Sequence, residues 1–167
     1  GISNAMAQPY FHNILPLASE RDKHTLIYWG IKDYTKRFGH APIGMWLPET
    51  AMDLASLEAM AEQGIQFTIL APWQARDPRV DITQPYRVAL ESGKEFFVFF
   101  YHSFLSGEIS FNPSSTLNAD TFVKDWLLPQ VNAIKNENDI LITVASDGEL
   151  YGHHQPFRER FVSYLLD

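Results

Sequence analysis

Apolar residues first recur at helical spacing between Asp22 and Phe38, where Ile27, Ile31, Tyr34 and Phe38 share one face. Gly39 follows as a C-terminal cap. Pro42 opens a short predicted strand, Ile43 to Leu47, and Pro48 ends it because proline cannot donate to a ladder. A second helix is predicted from Thr50 to Gln63, with Leu54, Leu57 and Ala61 as its buried stripe and Gly64 as its stop. Ile65 to Leu70 is β-branched and aromatic, the pattern of a buried strand. A loop with three prolines runs from Ala71 to Pro85. Tyr86 to Leu90 and Glu95 to Tyr101 then read as a hairpin turned at Ser92-Gly93. Further on, Ala119 to Lys135 is helical behind Asn118 as N-cap, with a kink or split expected at Pro129. Asp139 to Ala145 reads as a buried strand, Ser146 to Pro156 as a loop, and a last helix starts at Phe157.

Alternating strands and helices imply an α/β fold with mostly parallel strands. With 167 residues the chain can bury one substantial core, so residues 1–167 are expected to form a single domain. In such folds chemistry gathers at the carboxyl ends of strands. Two acidic segments fall there: Pro48-Glu49 and Ser146-Asp147-Gly148-Glu149.

Charge narrows the partners. The net charge is −7 and no Lys/Arg cluster occurs, so nucleic acid and anionic lipid surfaces are poor partners while neutral substrates suit. No apolar run is long enough to span a membrane, and the N-terminus does not read as a signal peptide, which makes a cytoplasmic location the default. Absence of cysteine excludes disulfides and thiolate metal sites.

Three clusters could carry chemistry. Gly44-Met45-Trp46-Leu47-Pro48-Glu49 puts a carboxylate just past a strand on a stub stiffened by Trp and Pro. A nucleophile needs that rigidity. The plainer use of Glu49 is to cap the following helix, where the dipole favours negative charge. Ser146 to His154 packs Asp147, Glu149, His153 and His154 into one loop, with Gly148 and Gly152 permitting sharp turns. That set reads as a general acid/base with polar neighbours; a simple Asx-type turn with solvated histidines is the plainer reading. A zinc or iron site is a third use, disfavoured because adjacent histidines on an extended loop diverge and no His-x-x-x-His spacing occurs. His12, in Tyr10-Phe11-His12-Asn13-Ile14-Leu15-Pro16-Leu17, is read by default as a core histidine with a satisfied hydrogen bond. Trp73, Gln74 and Arg76 read equally as a sugar subsite or as loop packing.

Together these segments resemble a known family. Gly44 to Thr50 resembles the nucleophile motif of glycoside hydrolase family 57, and Asp147 to His154 resembles its acid/base motif. Tyr10 to Leu17 is similar to the family's histidine motif, and Ala18 to Lys23 with Arg37-Phe38-Gly39 is similar to a bacterial subgroup related to α-amylases and α-mannosidases. The family's opening His-x-His-Gln-Pro run is not among these residues, so the chain reads as the middle of a longer catalytic barrel.

The resemblance implies part of an incomplete (β/α)7 barrel. It implies a retaining hydrolase or glucanotransferase acting on α-glucan, with no metal and no cofactor. Glu49 would be the nucleophile and Asp147 the acid/base. His12, Trp46, Glu149 and His153 would be neighbouring active-site residues that bind substrate, and Trp73 and Tyr151, read from their own chemistry, are expected to bind substrate beside them. A resting proton on Asp147 would call for its burial. Self-association of the chain is a further expectation. The alternatives are a metal-dependent polysaccharide deacetylase-like enzyme and a non-catalytic carbohydrate-binding fragment.

Overall fold

The computed structural model describes residues 4–134 and 139–166. The chain forms two compact units, one of Gly1–Arg76 with Gln84–Phe100, the other of Asp77–Thr83 with Tyr101–Asp167.

In the first unit, helix α1 spans Glu20–Phe38. Ser19 caps it by accepting from the Asp22 amide, and Gly39 closes it with φ 77°. Its buried face is Lys23, Leu26, Ile27, Gly30 and Tyr34, while Phe38, expected on that face, is exposed. The face is set by what α1 docks onto: Gly30 lies against the backbone of Gln8 and Pro9, and the Leu26 carbonyl accepts from the Tyr10 amide at 3.0 Å.

Helix α2, Leu54–Glu62, starts four residues later than its apolar spacing suggests, because Asp53 rather than Thr50 caps it. Its stripe is Ser56, Leu57, Ala59, Met60 and Ala61, and Leu54 is exposed. Strand β1, Phe67–Leu70, pairs in parallel with β3, Glu95–Phe100. Strand β2, Tyr86–Ala89, adds antiparallel on the other edge of β3, as the Ser92-Gly93 hairpin requires. Phe96, Val98 and Phe100 are buried and alternate with half-buried Phe97 and Phe99.

The predicted strand Ile43 to Leu47 does not form a full ladder. It makes parallel bridges instead, Gly44 with Phe67 on one side and Met45 with Ala7 on the other. Extended segments around Ala7, Met45, β1 and β3 therefore run side by side in one direction, with β2 reversed at the edge. This is a mixed α/β arrangement with a three-stranded sheet. Leu15, Ile27, Met45, Leu47, Leu57, Met60, Ile65 and Phe96 fill its interior, each 0–1% exposed. Burying side chains of this size contributes roughly 1.5–3 kcal/mol each.

In the second unit, α3 spans Ser103–Phe111 and went unpredicted: Ser103, Gly107 and Ser110 weaken its helical signal. His102 caps it by accepting from the Leu105 amide at 3.4 Å, a role open to a neutral ring, and burial pushes the imidazole below its ordinary 6.5. Helix α4, Ala119–Phe122, begins behind Asn118 as expected. Pro129 does not split the helix. Instead a wide π-type turn, Val123–Leu127, links α4 to α5, Leu128–Ala133, and gives the proline ring room where an ordinary turn would meet a carbonyl. The expected last residue of this helix, Lys135, lies outside the described residues.

Asp139 to Ala145 is neither a strand nor buried: a single parallel bridge joins Thr143 to Tyr101, and Leu141 and Val144 are exposed. Helix α6, Arg158–Leu166, follows. Leu105, Ile109, Ala119, Phe122 and Phe161 form this unit's core, with Phe122 edge-on to Phe161. Among the described residues, no helix is long and apolar enough to cross a membrane.

One buried charge anchors the first unit. Lys23 Nζ donates to Glu20 and Asp53, each at 3.1 Å, with the Lys23 side chain 4% exposed. Burial pulls the ammonium down, but Asp53 and Glu20 outweigh it and leave its pKa raised. Burial likewise pushes Asp53 up, and the Ser56 and Lys23 hydrogen bonds outweigh it, leaving Asp53 below its ordinary 3.8. Asp53 thus contributes stability at neutral pH that is lost as pH falls below about 3.8 through its lowered pKa, whereas the Lys23 contribution is lost only as pH rises past 10.5. Lys23→Met is expected to cost about 1–2 kcal/mol, less than a fully buried pair because the carboxylates reach solvent. It should also shrink the acid limb of a circular-dichroism pH titration. An acid limb of unchanged size would refute the coupling.

Candidate active site

The first unit presents Glu49 on a tight turn, Pro48–Thr50, immediately after the Ile43–Leu47 segment. Leu47 and Pro48 are sealed in the core while Glu49 points outward. The turn is strained: Glu49 has φ 57° and ψ 18°, and Thr50 has φ 51°. Left-handed backbone costs a non-glycine residue roughly 1–3 kcal/mol, and a β-branched threonine adopts it rarely. The surrounding contacts over-determine the conformation. The Thr50 amide donates to the Leu47 carbonyl at 2.9 Å, and the Ala51 amide donates to Pro48 at 3.0 Å.

The plainer role for Glu49, capping the next helix, is not what it does. Asp53 fills that role by accepting from the Ser56 amide at 2.8 Å. Glu49 Oε1 instead meets His12 Nε2 at 3.0 Å. His12 is therefore no core histidine; its side chain is 67% exposed and Glu49's is 69% exposed. An exposed pair of this kind adds little stability.

The other predicted residues of this unit are Trp46 and Trp73. Trp46 is half-buried, and its amide donates to the Ala7 carbonyl at 2.8 Å. Trp73 stands exposed on a turn, Pro72–Gln74, just beyond β1. Gln74, which the sequence leaves open between sugar contact and loop packing, bridges two loops. Its Nε2 donates to the Thr50 carbonyl at 2.7 Å, and its Oε1 accepts from the Ala71 amide at 2.8 Å.

In the second unit, Asp147 precedes a turn, Gly148–Leu150, and its side chain caps nothing there, so it is no Asx-type turn. The expected burial of Asp147 is not found: the residue is exposed, as are Glu149, His153 and His154. The loop is nonetheless well tied. Tyr151 Oη lies 2.7 Å from Ser146 Oγ, and the His154 amide donates to the Glu149 carbonyl at 2.8 Å. Gly152, with φ 112°, lets the chain turn back so that its amide meets the Gln155 carbonyl at 3.2 Å. Arg158 Nε donates to Thr116 at 2.9 Å and to Gln155 at 3.2 Å, which pins the loop's far end.

His153 and His154 do not diverge as an extended loop would make them. The turn brings their rings edge to face with centroids 4.8 Å apart. Among the described residues, no group of three or more His, Cys, Asp or Glu side chains gathers to hold a metal ion.

A carboxylate on a strained turn past a parallel strand segment, 3.0 Å from a histidine, thus stands at a strand end of a mixed α/β fold. The chain belongs to glycosyl hydrolase family 57, whose family model matches residues 4–167. No curated protein sequence matches it.

Solved structures share the fold at low identity. A 4-alpha-glucanotransferase from Thermococcus litoralis is 18% identical with a TM-score of 0.73, over 97% of this chain and 25% of that one. A GH57-type branching enzyme from Pyrococcus horikoshii is 17% identical with a TM-score of 0.79, over 96% of this chain and 41% of that one. The alpha-amylase AmyC from Thermotoga maritima is 17% identical with a TM-score of 0.74, over 96% and 44%. The chain thus spans less than half the length of each of these structures.

Proposed function

We propose that this chain is part of a retaining glycoside hydrolase or glucanotransferase acting on α-glucan, and that its extended segments belong to an incomplete (β/α)7 barrel. The observation that carries the reading is the Glu49 turn. A side chain on a strained, multiply tied turn, 3.0 Å from a histidine, is costly to build and has no structural task such as capping. Family membership supplies the reaction class, and the likeness to a glucanotransferase, a branching enzyme and an amylase favours α-glucan as substrate.

The mechanism is double displacement. A Glu49 carboxylate oxygen attacks the anomeric carbon, and the glycosidic C–O bond breaks as Asp147, which is exposed here and takes up its proton once bound sugar shields it from water, gives that proton to the leaving oxygen. Water, or a sugar hydroxyl in transfer, then attacks the same carbon while Asp147 takes its proton, and Glu49 is released. Retention of configuration needs the two carboxyls about 5–5.5 Å apart. His12 holds Glu49 on its line of attack. Trp46, Trp73 and Tyr151 offer ring faces to sugars, and Glu149 and His153 offer polar contacts. The reading calls on no metal or cofactor.

A fluorinated α-glucosyl donor that forms the covalent intermediate but releases it slowly is expected to label Glu49, located by peptide mass mapping. Label on another carboxylate would overturn the assignment. Binding of amylose with no label on any carboxylate would identify a carbohydrate-binding protein instead.

A further inference from the structure

We propose that Gln74 is a positioning residue for the Glu49 carboxylate, acting through the Thr50 carbonyl. The inference rests on the proposed role of Glu49 for its catalytic consequence, though not for its geometry.

Two consecutive left-handed residues, Glu49 and Thr50, aim the carboxylate. The hydrogen bonds within the turn, from the Thr50 and Ala51 amides, close it locally but do not fix it to the rest of the unit. Gln74 does. Ala71 is 0% exposed and directly follows β1, so its amide is a fixed point of the fold. That amide is a donor, so the oxygen of the Gln74 carboxamide must face it. The nitrogen is then committed to the Thr50 carbonyl at 2.7 Å. Both ends of one planar group are used, and the group cannot turn over without setting donor against donor. The turn after the Ile43–Leu47 segment is thereby locked to the turn after β1, and the register between two neighbouring strand ends becomes the register of Glu49.

Glutamate at this position keeps the acceptor for Ala71 but presents an oxygen to the Thr50 carbonyl. Methionine keeps the length and removes both bonds. Gln74→Glu separates the Thr50 contact from general loop packing, and Gln74→Met tests the whole bridge.

The geometric readout is crystallography of both variants. Glu49 and Thr50 are expected to leave the left-handed region, or the His12–Glu49 contact to lengthen well beyond 3.0 Å. The kinetic readout is the saturating rate of Glu49 labelling by the fluorinated α-glucosyl donor. It is expected to fall about ten- to a hundredfold, as a small misplacement of a reacting group commonly produces, with the donor concentration at half-saturation changed less than about threefold.

An unmoved Glu49 turn in both variants overturns the proposal. So does an unchanged labelling rate, or a loss confined to half-saturation. If one variant fails to fold, as judged by its melting transition, the other carries the test. Label on another carboxylate in the unaltered protein would overturn the nucleophile assignment alone, and the crystal structures would still decide whether Gln74 sets the turn.

Discussion

Glu49→Ala is expected to lower turnover of amylose by about 10⁴-fold or more, the scale seen when a covalent nucleophile is removed. The loss should fall on kcat, with KM little changed, because in the proposed mechanism Glu49 forms its bond only on the way to the intermediate. Removing the carboxylate leaves the line of approach to the anomeric carbon open to a small anion such as azide. Added azide should attack the anomeric carbon in its place and restore turnover of a substrate with a good leaving group, giving a glycosyl azide of inverted configuration. The unaltered protein should give a product of retained configuration. Proton NMR of the anomeric signal distinguishes the two. Turnover persisting within tenfold in Glu49→Ala would remove Glu49 from the chemistry, whatever its backbone suggests.

The largest expected effect on folding comes from Gly30→Ala. A Cβ at Gly30 would sit 2.0 Å from the Gln8 carbonyl oxygen and 3.0 Å from its carbon. Both are backbone atoms, so no side chain can swing away. Either α1 backs off from the Gln8–Pro9 segment or the segment moves outward. Overpacking of a tight contact usually costs about 1–3 kcal/mol, and a backbone-to-backbone clash belongs at the upper end, so a loss of about 3 kcal/mol is expected in chemical denaturation. The displaced segment leads directly into Tyr10, Phe11 and His12. The His12–Glu49 contact at 3.0 Å should therefore loosen even where the fold survives. A variant of unchanged stability with that contact intact would show that the close approach is not needed.

These two residues illustrate different kinds of legibility. Glu49 could be singled out because its neighbours are unusual: Trp46, Leu47 and Pro48 in a row announce a stiff stub after a strand. Gly30 could not. It sits mid-helix with no local signal, and its reason is a segment more than twenty residues earlier in the chain. From its neighbours His12 reads as a core histidine in an aromatic and apolar stretch, and only the family resemblance gives it a place at the site. Its exposure and its carboxylate partner come from a contact 37 residues away. Gln74 was legible as a polar residue past a strand, with nothing to say which of its two uses applied. The strand expected at Asp139 to Ala145 failed for a related reason. Apolar β-branched residues mark a strand only when a neighbouring strand covers them, and here the segment makes one bridge to Tyr101 and a single hydrogen bond from the Leu141 amide to the Thr83 carbonyl rather than a ladder.

What the sequence determined by itself was local. Asn118 starts a helix, Gly39 and Gly93 turn the chain, and apolar spacing marks α1, β1 and the β2–β3 hairpin. Each follows from a residue's own backbone preference or from a period of a few residues. Only the tertiary structure decided which face of α1 is buried, that Lys23 is held inside by Asp53, and that Gln74 and His12 converge on the Glu49 turn. Those outcomes depend on long-range docking, where a backbone approach or one hydrogen bond selects among arrangements that local preference leaves nearly equal in energy.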